Sequence, residues 1–220
     1  MHSSAPSTVN MHGSFRYDRG DKRAVAGNAQ IILVGRVLGQ VGTFPLVSGR
    51  ARIPRTQFSV QVITSLKGNR TGQITVNQMG GRRADGTMYR FDNDPLLEAG
   101  GTYLLAGSYS ASDHWYSLIP GVGTTKLSTD IDAARAAIGA DPLVAEWRAA
   151  IADPARPKVA RKRDPLPTPG AEGRLRLDTT PPATQSPDNP PNSSEPPAST
   201  GTSSSPEAGD SSGPPSTSGN

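Results

Sequence analysis

The sequence contains no cysteine. That absence excludes a disulfide framework, a thiolate-bound zinc and a cysteine nucleophile together. It does not fix a compartment, since a chain can be exported without disulfides. Aromatic residues are scarce, at 5% of the chain. From Pro154 to Asn220 there is no Phe, Trp, Tyr, Met or Ile, and Val159, Leu166, Leu175 and Leu177 are the only larger apolar side chains. The same stretch holds most of the 21 prolines. Ordering one residue costs roughly 1–2 kcal/mol of backbone entropy, which so little apolar surface does not offset. Residues 154–220 therefore read as a disordered Pro/Ser/Thr-rich tail, an extended spacer.

Long apolar runs are missing too. No segment approaches the ~20 residues that span a bilayer, so no transmembrane segment is expected. The first ten residues lack the charged and apolar regions of a signal peptide. Residues 1–14 are small and polar and read as a disordered N-terminus, with Met11 as a second candidate start. The net charge of +4 and pI near 9.6 are mildly basic, weaker than most dedicated nucleic-acid binders show.

What remains is one modest core's worth of chain, organised as a β domain at 15–128 with a helical extension at 129–153. Asp21 is placed to cap a helical turn that Gly27-Asn28 stops. Residues 29–41 read as a long strand that bends or bulges at Gly35 and Gly39. A loop carrying Pro45, Gly49 and Pro54 is expected next. Thr56 to Leu66 alternates cleanly, with Phe58, Val60 and Val62 on one side and Gln57, Ser59 and Gln61 on the other, the mark of a half-buried antiparallel strand. After a turn at 67–72, residues 73–79 alternate again and close a hairpin. Short strands follow at 87–91, 102–109 and 114–120. Five or six strands joined by short Gly-containing turns make a closed or nearly closed small barrel. Asp130 or Thr129 caps one helix and Asp141-Pro142 opens a second, whose Val144, Trp147 and Ile151 form one apolar face.

Four segments carry a resemblance. Ala29 to Val37 reads Ala-x-Ile-Ile-Leu-Val-Gly-Arg-Val, and Phe58 to Gly68 reads Phe-Ser-Val-Gln-Val-Ile-Thr-Ser-Leu-Lys-Gly. Ile74 to Gly81 reads Ile-Thr-Val-Asn-Gln-Met-Gly-Gly, and Leu97 to Ala106 reads Leu-Glu-Ala-Gly-Gly-Thr-Tyr-Leu-Leu-Ala. In this order they resemble the netrin-like modules, related to tissue inhibitors of metalloproteinases, of exported proteins from Gram-positive bacteria. The resemblance covers roughly residues 24 to 127. It implies a mainly β fold, a small antiparallel OB-like (netrin-like) barrel with short C-terminal helices, and placement at the cell surface or outside the cell. The inhibitors chelate a protease's zinc through an N-terminal cysteine, and that mechanism has no residue here to carry it.

Catalytic candidates are thin. Asp92, Asp94 and Glu98 flank a proline turn, but a calcium loop needs more oxygen ligands at alternating positions and a central glycine. Turn chemistry accounts for them. His114 is the only histidine within the barrel segment and has no nucleophile elbow to serve. The sequence Leu166-Pro167-Thr168-Pro169-Gly170 approaches a cell-wall sorting motif, with Thr and Pro in the wrong order. No enzyme activity, cofactor or metal is expected. The binding candidates are basic: Arg50, Arg52 and Arg55 in one connection, and Arg82, Arg83 and Arg90 with Tyr89 in another. The first expectation is a non-catalytic module for a protein or a cell-wall polysaccharide. The alternative is an OB-type binder of single-stranded nucleic acid, with bases stacked beside these arginines.

Overall fold

The computed structural model describes residues 7–48, 51–128, 130–157 and 162–169. In chain order the elements are β1 (Thr8–Met11), α1 (Lys22–Asn28), β2 (Ile31–Ser48), β3 (Ala51–Lys67), β4 (Gln73–Arg82) and β5 (Met88–Phe91). Then come β6 (Thr102–Ser110), β7 (Trp115–Leu118), a 3-10 turn (Gly121–Gly123), β8 (Thr124–Ser128), α2 (Ile131–Ala140) and α3 (Pro142–Ala152).

Five strands form a ring. β2 pairs antiparallel with β3 and with β6, β3 with β4, and β6 with β7. The ring closes where β7 lies parallel to β4, through Val76↔Tyr116 and Asn77↔Ser117. Numbered within the ring, the order is first, second, third, fifth, fourth, with one parallel seam between third and fifth: an OB-like barrel. β5 and β1 extend the sheet beyond β4, and β8 pairs with the first half of β6.

The opening of β2 does not alternate, and the packing explains why. Ile31 and Leu33 point into the barrel with Val37, Phe58, Val60, Ile74, Val76, Tyr103, Leu105 and Tyr116. Ile32, Leu104 and Ala106 point outward, beneath Val25, Ala26 and Ala29 of the α1 segment and Trp147 and Ala150 of α3. Both faces are buried, so both read as apolar.

Glycine sits where the chains come closest. At Gly35 a Cβ would lie 2.5 Å from Val60 Cγ1, and the β2–β3 register shifts beside it and again beside Gly39. Gly68, which turns β3 toward β4, has φ +86° and faces the Gln30 carbonyl at 2.6 Å from a hypothetical Cβ. A side chain there meets both backbone strain and a clash.

The helix ends follow their caps. Asp21 accepts from the Arg23 N–H at 2.8 Å and Asp141 from the Leu143 N–H at 2.7 Å. Asp130 accepts from the Ala133 N–H at 3.3 Å at the start of α2, while Thr129, the other candidate cap, lies outside the described residues. At the far end of α1, Lys67 Nζ donates to the carbonyls of Ala26 (2.7 Å) and Ala29 (2.8 Å), and Arg163 donates to that of Gly27 (2.9 Å). Two cations thus satisfy carbonyls left open by the helix. Burial, and then the neighbouring Arg163 charge, push the Lys67 pKa below its usual value.

Three expectations are corrected. The stretch carrying Pro45 and Pro54 is no loop: β2 and β3 continue as a paired arm to Ser48↔Ala51. Pro45 and Pro54 stand opposite each other, which confines the missing N–H donors to one rung, on a part of the arm where no third strand pairs. The first fourteen residues are not wholly disordered, because β1 lies parallel to β5, from Thr8↔Met88 to Met11↔Phe91. The start of the tail is also ordered: residues 162–169 dock on the barrel, with Leu166 against its interior. Residues 170–220, where the rest of the disordered tail was expected, lie outside the described residues.

The N-terminal arm is held by a small charged cluster. The Arg19 guanidinium lies over the rings of Phe15 (4.4 Å) and Phe91 (5.5 Å) and pairs with Asp92 at 2.5 Å. His12 Nδ1 is 2.9 Å from the same carboxylate. Partial burial acts to raise the Asp92 pKa, but the bonds to His12 and Arg19 outweigh it and hold the carboxyl below its ordinary 3.8. Stability from this cluster is therefore complete above that value and is lost as pH falls through the lower folded-state value. Asp92→Asn keeps a residue tolerant of the local φ of +50°. It is expected to be less stable than wild type at neutral pH and to converge on it in strong acid, as urea midpoints across that range would register.

Candidate functional site

Of the described binding candidates singled out by sequence, Arg52 and Arg55 stand on β3, and Arg82, Arg83, Tyr89 and Arg90 on β4, β5 and the turn between them. Arg50 lies outside the described residues, and Arg52 is a β3 residue paired with Val47. Arg55 stands on β3 between Phe44 of β2 and Gly80 of β4. The second group forms a self-contained turn. Arg82 donates to the Gly86 carbonyl at 2.7 Å. Arg83 donates to the Tyr89 hydroxyl at 3.0 Å, lies over its ring at 5.7 Å and approaches Asp85 at 3.9 Å. Those bonds, the Tyr89 hydroxyl first, raise the Arg83 pKa, while the Thr87 backbone leads the groups that lower that of Asp85. Arg90 is exposed on β5. These side chains are largely occupied with one another.

Arg55 leads to a different arrangement. Phe58, Val60, Val76 and Tyr116 point into the barrel, so their strand neighbours point out. Gln57 and Ser59 of β3, Thr75 and Asn77 of β4, and Trp115 and Ser117 of β7 therefore share the outer face. Gln57 Nε2 donates to Asn77 Oδ1 at 2.6 Å, and Gln73 Nε2 to Ser59 Oγ at 2.7 Å. An outward polar row should be wet, yet Gln57 is 2%, Thr75 3%, Asn77 4% and Ser59 5% exposed.

Aromatic side chains border this polar floor. The Phe44 and Trp115 rings are 6.2 Å apart, and the Arg55 guanidinium lies 5.2 Å from the Trp115 ring centre. A Cβ on Gly42 would touch both the Phe44 ring, at 2.9 Å, and Gln57 Oε1, at 3.5 Å, so ring and amide meet there. Phe44 remains 50% exposed. The four register shifts along the β2–β3 pair strengthen its twist and bring the arm to Trp115.

Three buried polar atoms on this patch have no hydrogen-bond partner among the described residues: Arg55 Nε, Trp115 Nε1 and Gln57 Oε1. Buried polar atoms are paired in the great majority of cases. These three atoms lie beneath the rings rather than at the surface. What the patch offers outward is the half-exposed Phe44 ring beside Trp115 and the Arg55 guanidinium, an apolar face able to stack a flat group.

The other candidates do not assemble. Asp92 is taken by His12 and Arg19, Asp94 accepts from the Gly121 N–H at 2.7 Å, and Glu98 pairs with Lys126 at 2.6 Å. His114 is exposed, with Nδ1 3.4 Å from the Tyr109 hydroxyl. Among the described residues no three His, Asp or Glu side chains gather as metal ligands, and no helix is long and apolar enough to cross a membrane. Of this patch the sequence marks only Arg55, by its charge; nothing local distinguishes Phe44, Gln57, Asn77 and Trp115 as site residues. The available signal was the facing pair of amide-bearing strands, Gln57-x-Ser59 against Thr75-x-Asn77. Compared with models of known families and with curated proteins, the sequence matches none.

Proposed function

We propose that this protein is a non-catalytic binding module that takes an extended polysaccharide across the outer face of β3 and β4. The carrying observation is the half-exposed Phe44 ring beside the Trp115 ring, with the Arg55 guanidinium lying against the indole. A sugar ring offers an apolar C–H face for stacking and a rim of hydroxyls that donate and accept. Arg55 adds a preference for carboxylate-bearing sugars. In OB folds the same strands and their bordering loops bind oligosaccharides as well as oligonucleotides. Placement at a cell surface rests on the netrin-like resemblance of residues 24 to 127.

Electrophoresis of the whole chain through gels containing a uronic-acid polysaccharide, a neutral glucan or no glycan tests this reading. Selective retardation by the acidic polymer is the expected result. Unchanged mobility in both would sink it. One observation favours single-stranded nucleic acid as the second reading: the guanidinium stacked on Trp115. That reading predicts salt-sensitive binding of an oligothymidylate, which the first does not.

A further inference from the structure

The ordered start of the tail is bound in the manner of a peptide ligand. Residues 162–169 cross the barrel mouth formed by the start of β2, the β3–β4 turn and the β6–β7 turn. Gln30 Nε2 donates to the Asp164 carbonyl at 2.7 Å, while Gln30 Oε1 accepts from the Tyr109 N–H at 2.9 Å, which fixes the amide. The Asp164 carboxylate accepts from the Ala111 N–H at 2.8 Å. Leu166 packs on the barrel interior. Arg70, itself 4% exposed, donates to the Pro167 carbonyl at 2.6 Å and to the Tyr116 hydroxyl at 3.2 Å. Asp164 and Leu166 are half-buried, and Pro165 and Thr168 are exposed.

We propose that this mouth is a recognition site for extended peptides of the form Asp-Pro-Leu-Pro, and that the chain's own tail is its resident ligand, bound in cis. The contacts divide as they do when a domain reads an extended peptide. Main-chain carbonyls are held by Gln30 and Arg70, and alternate side chains are read by a backbone N–H and an apolar mouth. Pro165, Pro167 and Pro169 hold the segment extended before it docks, which lowers the entropic cost of binding. Attachment about ten residues after the end of α3 supplies an effective concentration in the millimolar range, so modest intrinsic affinity keeps the site filled. The same chemistry arriving in trans, from a second copy, competes for the mouth. This inference is independent of the polysaccharide face.

The test uses the full chain carrying Asp164→Ala and Leu166→Asp, with a fluorescent peptide of residues 162–169, Lys-Arg-Asp-Pro-Leu-Pro-Thr-Pro. Anisotropy is expected to report saturable binding to the double variant, at least about tenfold weaker binding to wild type because the cis segment competes, and none for a scrambled peptide. Three results would overturn the proposal. The folded variant binds the peptide no better than the scrambled one, or wild type and variant bind it alike. In the third the variant unfolds, which would make the segment part of the fold rather than a ligand to it.

Discussion

Replacing Trp147 with alanine is expected to destabilise the protein by about 3–5 kcal/mol, the range for a buried tryptophan truncated in a core. The side chain is fully buried on the outside of the barrel with Val25, Ala26, Ile32, Leu104 and Ala150. It lies where α3 meets the strands, far along the chain from most of its neighbours, so the cavity cannot be closed by local adjustment. A domain of this size has about 5–15 kcal/mol of total stability, so the loss is a large share of the whole. Thermal midpoints should fall by about 6–20 °C. Because Trp147 Nε1 has no hydrogen-bond partner among the described residues, Trp147→Phe leaves no bond broken and is expected to cost far less. A shift of only a degree or two in the alanine variant would mean that α3 contributes little to the barrel.

Trp115→Ala is expected to act in the opposite manner, on binding rather than on folding. The residue opens β7 on the outer face, with Arg55 and Phe44 as its ring contacts. Stacking of a nucleic-acid base on an aromatic side chain is worth about 1–3 kcal/mol; taking the lower end for a sugar ring, affinity for the acidic polysaccharide should drop by about fivefold to tenfold. Within the protein, the cation–π interaction between Arg55 and the indole that alanine removes is worth only about 0.5–1 kcal/mol. Isothermal titration with acidic oligosaccharides, beside urea unfolding of the same samples, separates the two effects. Equal affinity in variant and wild type would remove Trp115 from the site. A parallel collapse of stability would make it a structural residue.

Much of the architecture was legible because local chemistry and tertiary structure agree. β3 and the first part of β4 alternate between apolar side chains on the core and polar side chains outside it, and Asp21 and Asp141 mark helix starts by capping them. The parts that were not legible gain their stability from distant partners. Thr8–Met11 becomes a strand only because β5 offers an edge. The arm containing Pro45 and Pro54 reads as a loop residue by residue, and it persists because each strand is the other's partner. Residues 162–169 lack the apolar content to order themselves, yet Gln30, Ala111 and Arg70 supply donors at matching spacing. The site shows the same division. Arg55 was visible as charge. Gln57 and Asn77 have the sequence appearance of solvent-facing strand residues, and their burial is created by rings that arrive from β2 and β7.

The parallel seam has a kinetic consequence. Closing the ring requires β7 to find β4 across some forty residues, from Val76 to Tyr116, through two paired positions. So few bonds return little until the intervening strands are already in place, while the loop entropy must be spent beforehand. The seam should therefore be the last contact made as the chain folds and the first released when it breathes. Because Trp115 adjoins the seam, each such opening would carry one wall of the proposed binding face away from the other.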